Sequence, residues 1–116
     1  MKGTVLGIAG IGLIGGSLAL RARAAGATVI GYDHDPAALH AATAAGALDA
    51  TARGIEDLAE RCAIVAIALP VDATIDVLAN TPALARAEMV FDVASVKLPV
   101  VAAASGLPRF VASHPL

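Results

Sequence analysis

Gly10, Gly12 and Gly15 stand at the spacing G-x-G-x-x-G directly after the apolar run Val5-Leu6-Gly7-Ile8-Ala9. Between a strand and a helix each glycine has a physical task. Gly10 makes the tight turn, Gly12 lets the backbone approach a pyrophosphate, and Gly15 lets the helix pack closely on the strand. The unpaired N–H groups and positive dipole end of the helix then receive the phosphates. Leu13 and Ile14 belong to the same turn-to-helix step, and with Pro70 at the end of a later strand they complete the candidate cofactor-binding set. Asp33 follows Gly15 by eighteen residues, at the end of the second predicted strand. A carboxylate there accepts hydrogen bonds from an adenosine ribose 2'-hydroxyl, which favours NAD over NADP. Plainer readings exist: helix–strand packing for the glycines, a solvated or capping carboxylate for Asp33.

Asp92-Val93-Ala94-Ser95-Val96-Lys97 follows one later strand, and Ser113-His114-Pro115 follows the next. In an open parallel sheet both segments belong to the carboxyl edge, together with the glycine turn and Asp33. There His114 can act as a base near neutral pH, and the Ser95 hydroxyl can orient it or a substrate hydroxyl. Ser95 is equally well placed as an N-cap, Lys97 as a surface cation and His114 as a turn residue. His34 and His40 have no partners at metal-ligand spacing, and no cluster of His, Cys and carboxylates argues for zinc or a two-metal site. No metal is expected.

The elements that must position these residues alternate along the chain. Strands are predicted over 4–9, 27–32, 63–69, 88–93 and 109–112, with a short third strand over 47–51. Helices are predicted over 13–25, from Pro36 to about Ala45, over 55–61, from Asp72 to Leu78 or Asn80, and over 96–104. Asp35 before Pro36 is a capping carboxylate ahead of proline at the first helical position. Asp72 is expected to cap the fourth helix. The run Ala63-Ile64-Val65-Ala66-Ile67-Ala68-Leu69 carries no charge on either face, as a central strand covered on both sides would. Strand and helix repeated with short connections predict an α/β, Rossmann-type doubly wound, mostly parallel sheet with helices on both faces and strand order 3-2-1-4-5-6.

Composition narrows the alternatives. The net charge of -2 offers no basic footprint for nucleic acid, and one tyrosine, two phenylalanines and no tryptophan supply no stacking platform for bases. The single cysteine, Cys62, excludes an internal disulfide framework and reads as a buried thiol. Residues 3–20 are uncharged and imitate a signal or membrane segment, but six of these eighteen are glycines that fall where a turn needs them. No membrane association is expected. With 58% hydrophobic and 16% charged residues, the chain is more apolar than an ordinary soluble surface requires. Either both sheet faces are covered or some apolar surface awaits a partner, in which case this span expressed alone self-associates. The polar triplet Ser113-His114-Pro115, with no closing helix behind it, predicts that residues 1–116 form one domain truncated before a further segment.

Three separated motifs occur in order: Gly10-Ile11-Gly12-Leu13-Ile14-Gly15-Gly16-Ser17-Leu18-Ala19, then Asp92-Val93-Ala94-Ser95-Val96-Lys97, then Ser113-His114-Pro115-Leu116, with Asp33 between the first and second. Together they resemble the amino-terminal part of the prephenate and arogenate dehydrogenases of tyrosine biosynthesis. The resemblance implies oxidative decarboxylation of prephenate by NAD, less so NADP, giving 4-hydroxyphenylpyruvate and CO2; arogenate would give tyrosine. It implies that His114 assists deprotonation of the ring 4-hydroxyl, that Ser95 hydrogen-bonds in the same catalytic group, and that Lys97 belongs to the site region. It also implies a following helical domain that supplies a substrate-binding arginine and most of a homodimer interface; Arg109 stands too early to be that arginine. A cytoplasmic location is expected. Another dehydrogenase of the 3-hydroxyacid type, or a dinucleotide-binding module without chemistry, are the alternatives.

Overall fold

The structure, a computed structural model, describes residues 2–93 and the backbone of 110–112. Six strands form one sheet: β1 (Val5–Ala9), β2 (Thr28–Tyr32), β3 (Ala50–Thr51), β4 (Ile64–Ile67), β5 (Met89–Asp92) and β6 (Phe110–Ala112). Their order is β3-β2-β1-β4-β5-β6, and every neighbouring pair is parallel. The helices are α1 (Leu13–Ala24), α2 (Pro36–Ala44), α3 (Ile55–Arg61) and α4 (Val71–Asn80). The predicted fold class and strand order are both found. The chain reverses its direction of travel across the sheet between β1 and β4, which pair at Leu6↔Ile64 through Ala9↔Ile67. That reversal is the switch point beside which ligands bind in such sheets.

Strand alternation sends side chains to two apolar layers. Leu6 and Ile8 pack with Ala19 and Ala22 of α1 and Ala42 of α2. Val65, Ile67 and Val90 pack with Leu58 and Ala59 of α3 and Leu78 of α4. Small residues set the spacing of α1: Gly15, Ala19 and Ala22 are its buried positions, one stripe at helical intervals. On the α1 side, Leu6, Leu18, Ile64, Met89 and Phe91 line an apolar groove of about 210 Å³, so part of the surplus apolar character is surface.

Local side-chain contacts support the starts of two helices, α2 and α3. Asp35 caps α2, its Oδ1 accepting the Ala37 N–H at 3.0 Å. In α3 the Asp57 Oδ2 accepts the Arg53 N–H at 3.0 Å and pairs with Arg61 Nη1 at 3.2 Å. These contacts, the backbone N–H first, hold its carboxyl below the ordinary range against a smaller desolvation effect.

Two expectations are corrected, and one element is new. Asp72 is not the cap of α4: Pro70 occupies that position, no side chain caps the helix, and Asp72 lies in the first turn. There its charge still complements the helix dipole. The third strand is two residues long rather than 47–51, because the Asp49 Oδ2 takes the Val29 N–H at 2.8 Å, a donor that a longer strand would have paired with a carbonyl. A 3-10 helix over Pro82–Arg86, with Leu84 buried, was not anticipated. The predicted helix over 96–104 lies outside the described residues. Residues 3–20 divide between β1 and α1, and among the described residues no helix is long and apolar enough to cross a membrane.

Cys62 is buried, as expected, its sulfur packed over Gly7, where an added Cβ would lie 2.9 Å from it. Burial pushes the thiol up to about 11 from 9.0, with Arg61 opposing and Asp57 adding to the shift. A raised value in the folded state means that the contribution to stability is complete below about 9 and is lost as pH rises through about 11. Denaturant unfolding of the wild type should therefore weaken between those values by at most about 3 kcal/mol more than that of Cys62→Ala. Equal pH slopes for the two proteins would show that the thiol titrates alike in the folded and unfolded chain, and would reject the shift.

Candidate functional site

The glycine turn begins where β1 ends. Gly10 donates its N–H to the Tyr32 carbonyl at 2.8 Å and has φ +97°, and a Cβ there would lie 2.5 Å from the Ala68 carbonyl oxygen. Only glycine meets both conditions. A Cβ on Gly15 would run into the Gly10 carbonyl oxygen itself, so the first turn of α1 touches the strand end through bare backbone. The fold thus requires Gly10 and Gly15 for its own packing.

Gly12 differs. A Cβ there would meet nothing within 4 Å, so the fold places no demand on it. It is the N-cap of α1, and no side chain caps this helix. The first-turn N–H groups, which have no partner within a helix, are left for an acceptor from outside. Leu13 is 90% exposed and Ile14 44%, two large apolar side chains flanking the same helix end. A dinucleotide pyrophosphate fits this arrangement: open space at Gly12, backbone donors and a positive dipole end.

Asp33 stands at the carboxyl end of β2 beside the turn. Its Oδ2 accepts the Ile11 N–H at 2.8 Å and its Oδ1 the Asp35 N–H at 2.9 Å. His34 Nδ1 approaches Oδ1 at 3.4 Å from a side chain that is 88% exposed. Pro70 lies at the carboxyl end of β4, and the Gly10–Ala68 contact places the glycine turn against the chain leading to it. The structure thus gathers Gly10, Gly12, Leu13, Ile14, Gly15, Asp33 and Pro70 along one edge of the sheet. Sequence reading missed that Asp33 holds the turn; nothing in local spacing signals a bond across 22 residues.

At the other end of the same edge, Asp92 of β5 pairs in register with Ala112 of β6. Asp92 is fully buried. Ser95, Lys97, Ser113, His114 and Pro115 lie outside the described residues.

A family model described as the prephenate dehydrogenase nucleotide-binding domain matches residues 17–116. No curated protein sequence matches the chain. Among solved structures, prephenate dehydrogenase from A. aeolicus in complex with hydroxyphenyl propionate and NAD+ is similar with a TM-score of 0.85 and 27% identity, over 100% of this chain and 43% of that one. Synechocystis arogenate dehydrogenase is similar with a TM-score of 0.84 and 28% identity, over 95% of this chain and 40% of that one. Mycobacterium tuberculosis 3-hydroxyisobutyrate dehydrogenase, at 19% identity and a TM-score of 0.75 over 97% of this chain and 39% of that one, shares the fold alone. The chain spans about two fifths of the length of the solved relatives it matches.

Proposed function

The chain belongs to the prephenate dehydrogenase nucleotide-binding domain family, and on that premise we propose that it is the dinucleotide-holding part of an NAD-dependent enzyme that oxidatively decarboxylates prephenate to 4-hydroxyphenylpyruvate and CO2. Arogenate, yielding tyrosine, is the other substrate of the same chemistry. The observation that carries the reading is Gly12: a glycine that the fold does not need, at an uncapped helix end, in a turn whose other glycines are fully explained by packing.

In this reading the first-turn N–H groups of α1 bind the pyrophosphate, and Asp33 faces the adenosine ribose. Leu13, Ile14 and Pro70 border the dinucleotide. Bound NAD supplies the acceptor for a hydride leaving ring C4. His114 accepts the proton of the C4 hydroxyl as that hydride departs, and Ser95 orients the reacting hydroxyl. The bond to the ring carboxylate then breaks, its electron pair restores the aromatic ring, and CO2 leaves. His114 returns its proton to the phenolic oxygen. Lys97 belongs to the same site region, with no step assigned to it. A cytoplasmic homodimer, with a further domain completing the substrate pocket, is the corresponding assembly.

Titration of the whole protein with both cofactors, followed by turnover with prephenate and with arogenate, tests the proposal. NAD should bind about tenfold or more tightly than NADP, since a 2'-phosphate would set like charges together at Asp33. Tighter NADP binding would reject the ribose assignment, and absence of ring aromatisation with either substrate would reject the activity.

A further inference from the structure

Asp33 is engaged by the protein's own backbone. Its carboxylate bonds the amide of Ile11, inside the glycine turn, and the amide of Asp35, the N-cap of α2. Its side chain is 12% exposed; the bond to Ile11 is part-buried and the one to Asp35 is exposed. The turn itself consists of Ile11 between two glycines, the residues least able to hold a backbone conformation unaided. The Ile11 side chain is anchored in the apolar layer beneath α1 and α2, but that anchor does not orient the peptide groups on either side of it.

We propose that Asp33 is a positioning residue for the pyrophosphate subsite: by holding the Ile11 N–H it orders the glycine turn, and because the same carboxylate faces the adenosine ribose it couples the two subsites through one side chain. The ribose half rests on the dinucleotide reading above; the tether to Ile11 is a hydrogen bond within the protein itself.

The chemistry of the two bonds sets what can replace Asp33. Both oxygens meet N–H donors, and a carboxylate offers two acceptors. Asp33→Asn offers one acceptor and one donor, so it turns an N–H against either Ile11 or Asp35. Asp33→Ser reaches at most one of the two amides. Removing the charge to admit a 2'-phosphate therefore releases the turn that must bind the pyrophosphate. A single substitution at Asp33 should weaken NAD without producing an efficient NADP enzyme.

The separating experiment uses NAD beside an NAD analogue whose adenosine ribose lacks both hydroxyls, titrated into the wild type, Asp33→Asn and Asp33→Ser, each verified as folded by thermal unfolding. The analogue has no ribose hydroxyl for Asp33 to bind, so a difference between proteins reports the turn. Both variants are expected to bind the analogue about tenfold more weakly than the wild type does. Equal analogue affinity in all three proteins, with NAD alone weakened, would overturn the positioning role and leave the dinucleotide reading standing. Failure of the wild type to bind NAD would instead overturn that reading.

Amide hydrogen exchange on the ligand-free wild type decides the tether without any variant. Protection of the Ile11 N–H comparable with that of the Val29 N–H, which Asp49 holds at the same 2.8 Å, is expected. An Ile11 amide exchanging at the rate of an unprotected one would overturn the proposal.

Discussion

Gly12→Val should leave the fold standing and lower NAD affinity by about 10²-fold or more. The first half follows from the open space around Gly12, where an added Cβ meets no protein atom within 4 Å. The N-cap position tolerates valine less well than glycine, at a cost of about 1 kcal/mol, so a modest fall in Tm is the whole structural effect. The second half follows from what the space is for. A branched side chain there would hold a pyrophosphate off the first-turn N–H groups of α1, and two charge-assisted hydrogen bonds lost at roughly 1.5–3 kcal/mol each correspond to that affinity change. Gly15→Val is the contrast: its Cβ collides with the Gly10 carbonyl oxygen, so it should destabilise the protein by about 3 kcal/mol or more. Isothermal titration beside thermal unfolding separates the two behaviours. Normal NAD binding by a folded Gly12→Val protein would remove the observation on which the proposed function rests.

His114→Asn in the whole protein should lower kcat by roughly 10²-fold or more, the usual contribution of a positioned base. Asparagine offers hydrogen bonds but cannot take the proton that the C4 hydroxyl must lose as hydride leaves. NAD affinity should change little, because the proposed pyrophosphate and ribose contacts are with the glycine turn and Asp33 and do not involve His114. The wild-type rate should fall toward acid pH, since a protonated imidazole cannot accept that proton. The variant should lose this acid limb. Ser95→Ala should produce a smaller rate loss. Near-normal turnover in a folded His114→Asn enzyme would reject the base assignment and move the search to another group on the carboxyl edge.

Residues 2–93 show why some of this was legible in the sequence and some was not. Apolar runs such as Val5–Ala9 and Ile64–Ile67, the cap at Asp35 before Pro36, and the strand–glycine–helix sequence at Gly10 to Gly15 are local signals, and the structure places strands, helix and turn there. Such signals work because strand alternation, helix capping and positive φ are decided within a few residues of chain. The parallel order with its reversal beside β1 was legible too, since short connections and right-handed crossovers leave few alternatives.

What only the tertiary structure decided lies between residues distant in sequence. Asp33 reaches Ile11 across 22 positions and Asp49 reaches Val29 across 20, and each bond exists only because the parallel register brings those backbones together. The first turns a candidate ribose ligand into a support for the glycine turn; the second shortens β3 to two residues. Motif position already gave the three glycines different tasks, but only packing against Ala68 and the Gly10 carbonyl shows that the fold requires Gly10 and Gly15 and places no steric demand on Gly12. Steric demand is a property of neighbours in space, and the sequence names those neighbours only after the chain has folded.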